Sequence, residues 1–121
     1  MDFNYIYPMN TEDFQQEIIT FFEQIDKYYG SKTEITEGLC TDMENLDANL
    51  TTWNLSEFDL IRSAYRKTGE KLMMEGRNMY YEISADRIIG FEQTGRHKFE
   101  FIELYGNSVF RITKIRFHYK Y

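Results

Sequence analysis

Between Thr11 and Gly30 the apolar residues Phe14, Ile18, Phe21, Ile25 and Tyr28 recur at the 3.6-residue spacing of one helical face. Asn10 or Thr11 stands where a helix cap belongs, and Gly30 where a helix stops. Phe22 and Tyr29 widen the apolar side, while Glu12, Glu23 and Asp26 project roughly opposite it. A second run, Leu39, Met43, Leu46, Leu50 and Trp53, is introduced by the capping-box sequence Thr41-Asp42-Met43-Glu44 and predicts a helix over 41–52. Gly38 and the alternating Thr33-Glu34-Ile35-Thr36 leave a loop or short strand before it. Ser56 as cap, Asp59 three residues on, and the staple pair Leu55 and Leu60 predict a third helix. Phe58, Ile61 and Tyr65 form its buried face, and Gly69 ends it.

From Lys71 the period changes to two. Leu72 and Met74 alternate with polar residues, Gly76-Arg77 suits a two-residue loop, and Met79, Tyr81 and Ile83 return on the matching face. An extension of the third helix to about residue 76 is the competing pattern. Turns at Ser84-Ala85-Asp86, Thr94-Gly95 and Gly106-Asn107-Ser108 divide the remainder into strands. The expected fold class is α+β: three N-terminal helices packed on a C-terminal antiparallel meander of four or five strands, strongly coiled. Residues 1–121 then form one domain, with a helical half, 1–69, and a β half, 70–121.

A three-residue loop at Gly106-Asn107-Ser108 sets Leu104 opposite Phe110, Ile102 opposite Ile112 and Phe99 opposite Ile115. Glu103 then meets Arg111, and Glu100 meets Lys114. Both strands change apolar phase at the same level, which predicts a bulge or sharp coil near 101 and 113. Past that point Lys98 faces Arg116 and Arg96 faces His118, with Lys114 and Lys120 on the same side.

Charge sharpens this division. The chain carries a formal net charge of −6. Residues 1–60 hold thirteen acids against Lys27 and Lys32, net −11, and residues 61–121 hold twelve bases against seven acids, net +5. Acids on Glu12, Asp13, Glu17, Glu23, Asp26, Glu44 and Asp47 would form a fixed negative surface that speeds encounter with a basic protein and repels nucleic acid. That predicts a small acidic inhibitor, of the kind represented by immunity proteins against nuclease toxins and phage proteins that occupy the nucleic-acid site of a defence enzyme. A secondary basic patch, Arg96, Lys98, Lys114, Arg116 and His118, would serve an acidic patch of the partner or simply face solvent. The alternative is a small-molecule-binding or enzymatic domain with a pocket lined by Trp53, Tyr65, Tyr81 and Phe91 and rimmed by Asp86 and Arg87.

Candidate chemistry is sparse. No Gly-rich phosphate loop, dinucleotide fingerprint, HExxH, CxxC or Ca²⁺ loop occurs, so no cofactor or metal is expected. Asp42, Glu44 and Asp47 do not share one helical side. His97 and His118 fall on opposite faces of the predicted hairpin, which argues against a paired acid–base site. The aromatic segment His97–Leu104 lacks the glycines of an RNA-recognition strand, and direct nucleic-acid binding is not expected. Cys40, the sole cysteine, excludes an intrachain disulfide and reads as a small buried apolar residue. The first residues lack a signal-peptide pattern, and no apolar run approaches the roughly 18 residues of a membrane span. The expectation is a soluble, cytoplasmic protein.

Overall fold

In the computed structural model, residues 11–41, 51–66 and 68–119 are described, with side chains described from residue 15 onward. Among these residues the molecule has eight strands and one α-helix. The expectation of three helices on a sheet is therefore corrected: this is a mainly β structure of two antiparallel sheets with one helix packed on them.

Helix α1, Thr11–Gln24, continues into a 3-10 turn, Ile25–Tyr28, and the chain reverses at Gly30 with φ 88°. Ile18, Phe21, Ile25 and Tyr28 are all buried, as their spacing predicts. The strands are β1 (Lys32–Cys40), β2 (Thr51–Asp59), β3 (Arg62–Arg66), β4 (Lys71–Gly76), β5 (Met79–Ser84), β6 (Ile88–Gly95), β7 (Lys98–Tyr105) and β8 (Val109–Phe117). The larger sheet has the order β2-β1-β8-β7-β6, and the smaller β3-β4-β5.

Of the predicted second helix, 41–52, Thr51 and Thr52 belong to a strand instead. Leu39 belongs to β1 and Trp53 to β2, while residues 42–50, with most of that apolar run, lie outside the described residues. The predicted third helix is replaced by β2 and β3. In Thr51 to Tyr65 both periods fit: Phe58, Ile61 and Tyr65 recur helically, while Phe58 and Leu60 alternate. Burial decides between them. Leu55 is 65% exposed and Ile61 54%, although both belonged to the apolar side of the helical pattern, whereas Phe58 and Leu60 are buried. A strand of an antiparallel sheet can leave one face to solvent, as β2 does at Leu55 while pairing with β1.

The final hairpin has the predicted register throughout, from Lys98 opposite Arg116 to Tyr105 opposite Val109. It contains no shift near 101 or 113, so the predicted bulge is corrected; the irregularities lie between β6 and β7, at Ile88/Gly90 and Gln93/Gly95. The change of apolar phase has another cause. One face of the sheet carries Phe99, Phe101, Ile115 and Phe117 into the main core with α1, while the other face carries Ile102, Phe110 and Ile112 into a separate cluster with Cys40. In the β4–β5 hairpin the loop is Arg77-Asn78, one residue later than predicted, with Asn78 at φ 60° and Gly76 paired to Met79. Gly76 is required there for space: a Cβ would stand 2.6 Å from the Phe58 ring and 2.8 Å from the Asp59 carbonyl, where the sheets meet.

The connections fix the two sheets against each other. Leu60 donates its N–H to the Ser31 carbonyl (3.0 Å) and accepts from Gly30 (2.7 Å), and Ile61 donates to the Glu75 carbonyl (2.8 Å). A 3-10 turn, Ala85–Arg87, carries the chain back from β5 to β6.

Candidate functional site

The junction between the sheets gathers the densest polar cluster. Arg111 on β8 directs Nε to Glu37 on β1 (2.7 Å) and Nη1 to the Glu82 carbonyl on β5 (2.7 Å) and to Glu103 on β7 (3.3 Å). Its guanidinium also lies over the Tyr81 ring, 4.5 Å from the centroid. Glu103 is fully buried and accepts from the Ser84 N–H (2.9 Å) and the Tyr105 hydroxyl (2.6 Å). β5 is an edge strand of the smaller sheet, so the carbonyl of Glu82 and the N–H of Ser84 need partners beyond their own sheet, and these side chains supply them. Burial pushes the Tyr81 and Tyr105 hydroxyls above the usual phenol range, and the Glu103 carboxylate pushes Tyr105 further the same way. A cleft of about 490 Å³ opens beside this cluster, with Asn54, Ser56 and Lys71 at its walls, and Lys71 hydrogen-bonds the Ser84 hydroxyl.

A second cleft, of about 390 Å³, runs between α1 and the β3–β4 turn region. Ile18, Ile19, Phe22, Tyr65, Leu72 and Ile88 give it an apolar floor, and Glu23, Glu70 and Asp86 stand around it without a lysine or arginine among the described lining residues. None of these three acids has an ion-pair partner among the described residues. Glu70 is held at φ 47°, a left-handed conformation that costs a residue with a Cβ about 1–2 kcal/mol. Its carbonyl accepts from Ala85 (2.8 Å), which ties the turn carrying Glu70 to the turn carrying Asp86.

Of the predicted acidic surface, Glu17, Glu23 and Asp26 are exposed on α1 and its 3-10 extension. Glu12 and Asp13 lie in α1 with side chains outside the described residues, and Glu44 and Asp47 lie outside them altogether. Glu70 and Asp86 were missed as partners of Glu23, because turns distant in sequence bring them together. The predicted four-residue aromatic pocket does not form. Trp53 covers Gly38 on the outer face of the larger sheet, Tyr65 lines the acid-rimmed cleft, Tyr81 lines the inter-sheet cleft and Phe91 packs beside Phe101. Arg87 lies over the Tyr105 ring, 4.8 Å from its centroid.

The basic residues Lys98, Lys114 and Arg116 are exposed on the outer face, with Lys114 opposite Glu100 and Arg116 opposite Glu34. His118 hydrogen-bonds Glu34 at 3.0 Å, which holds that carboxyl below its usual range. His97 turns to Tyr28, its Nδ1 2.9 Å from the phenol oxygen, so the two histidines have different partners, although both line one cleft at the end of β8. No helix among the described residues is long and apolar enough to cross a membrane.

No protein-family model matches the chain, and no significant similarity to a curated protein or to a solved structure is found.

Proposed function

We propose that the protein is a small acidic binding protein that captures a basic, amphipathic segment of a partner protein in the cleft beside α1, as an inhibitor of a nuclease toxin or of a nucleic-acid-binding defence enzyme would. The observation that carries this reading is the pairing of an apolar floor with Glu23, Glu70 and Asp86 and no lining base among the described residues. Apolar area supplies affinity, and the carboxylates select a positively charged partner and speed its encounter. Glu17 and Asp26 extend the negative field along the same helical element.

The test uses a fluorescent amphipathic helical peptide patterned with Lys and Leu, and the same pattern with Glu in place of Lys. The basic peptide is expected to bind in a salt-dependent manner and the acidic one not at all. Glu23→Gln, Glu70→Asn and Asp86→Asn together should weaken binding about tenfold, since each exposed charge pair contributes about 0.2–1 kcal/mol. Equal binding by the triple variant would overturn the assignment. Host proteins captured by wild type and lost by this variant are then the partner candidates.

The convergence of Tyr81, Tyr105, Arg111 and Lys71 on the inter-sheet cleft favours the alternative, a small-molecule-binding domain. A ligand there should raise the thermal midpoint, and Lys71→Met should abolish that rise.

A further inference from the structure

A third cleft, of about 530 Å³, lies where the β6–β7 turn meets the far end of β8. Its lining among the described residues is Arg96, His97, Lys98, Arg116, Phe117, His118 and Tyr119, with Glu34 reaching His118 from beside it. We propose that this cleft binds the dianionic phosphate of a small phosphate monoester.

Three observations support this assignment. Arg96 and Lys98 have no ion pair among the described residues, whereas Arg116 stands opposite Glu34, which His118 hydrogen-bonds, so the cleft keeps an excess of two cations over its one neighbouring carboxylate. The backbone holding them is fixed, because Phe117 donates its N–H to the His97 carbonyl at 3.0 Å and β8 pairs with β7 from Lys98 onward. His97 supplies the third. Its Nε2 is buried without a hydrogen-bond partner among the described residues, while Nδ1 meets the Tyr28 hydroxyl. A Tyr28 hydroxyl that donates to Nδ1 places the ring proton on Nε2, a donor that lacks an acceptor.

Charge count selects the ligand class. The two unanswered cations, Arg96 and Lys98, exceed what one carboxylate or one phosphodiester neutralises, and a forked guanidinium beside an ammonium suits a tetrahedral dianion. The chain as a whole is negative, so a general attraction for anions does not explain binding at this end. The aromatic rings of Phe117 and Tyr119 give the ester's organic portion an apolar wall.

The deciding experiment is an NMR titration of the ¹⁵N-labelled protein with phenyl phosphate, inorganic phosphate and dimethyl phosphate. Phenyl phosphate and inorganic phosphate should saturate shifts at His97, Lys98 and Arg116, with dimethyl phosphate at least about tenfold weaker. Lys98→Ala with Arg116→Ala should weaken phenyl phosphate by at least about tenfold. These residues are exposed, so the thermal midpoint should stay unchanged. Equal affinity for dimethyl phosphate, shifts at other residues, or indifference to the double variant would each overturn the proposal. So would a short single-stranded oligonucleotide without terminal phosphate that binds these residues as tightly as the monoester.

Discussion

The carboxylates between the sheets and those beside α1 are the same chemical group in opposite situations. Glu37 and Glu103 are answered inside the molecule by Arg111, the Ser84 amide and the Tyr105 hydroxyl. Glu23, Glu70 and Asp86 stand beside an apolar floor with no internal cation among the described residues. The first group closes an edge strand and fastens two sheets together, so its charge is used up by the fold. Charge left unanswered at the second group is available to another molecule. A carboxylate's contribution to binding is thus read from the partners it lacks.

Breaking the inter-sheet group should have the largest effect. Arg111→Met leaves Glu103 buried without its cation, and chemical denaturation should show a loss of about 3–5 kcal/mol. A loss below about 1 kcal/mol would mean that the two groups of acids do not differ as described. Ile112→Ala, on the sheet's other face, should cost about 2–5 kcal/mol by the same measurement, and Ile102→Ala a similar amount, because both are buried in the outer cluster.

Alkaline pH sharpens the contrast. Tyr81 and Tyr105 ionise at a higher pH in the folded chain than the ordinary phenol value of 10.0. Their contribution to stability is fully present below that value and is lost as pH rises through the folded-state titration. Thermal midpoints taken from pH 8 upward should therefore fall beyond about pH 10, and Tyr81→Phe should flatten the decline. At the other extreme, the triple variant Glu23→Gln, Glu70→Asn, Asp86→Asn should stay within about 0.5 kcal/mol of wild type. Asn accepts the left-handed backbone at position 70, so this variant separates binding from folding.

Helix α1 and the last hairpin were legible because each is written locally. One shows as a helical stripe, and the other as a three-residue turn flanked by Glu103 opposite Arg111 and Glu100 opposite Lys114. The β1–β2 region was not, because Leu39 and Trp53 fit a helical stripe as well as a strand, and the pairing that decides between them is with distant β8. The β-branched Thr51-Thr52 before Trp53, and the alternation from Thr33 to Thr36, were the available signals for strand. Glu23 of the acid-rimmed cleft was legible as exposed helical charge. Glu70 carried no such mark, and Asp86 was read only as the rim of an aromatic pocket, since the meeting of the two acids depends on how the smaller sheet folds back beside α1.

β8 stands between β1 and β7, with Thr33 opposite Phe117 and Cys40 opposite Phe110. Until β8 is in place, β1 and β7 each present an open edge, and a seam joining such distant segments makes folding slow. The central strand is consequently the keystone of assembly. A chain cut in the Gly106–Ser108 turn should remain incomplete until a peptide spanning β8 is added, and recovery of the fold by that peptide would make the molecule a two-piece complementation reporter.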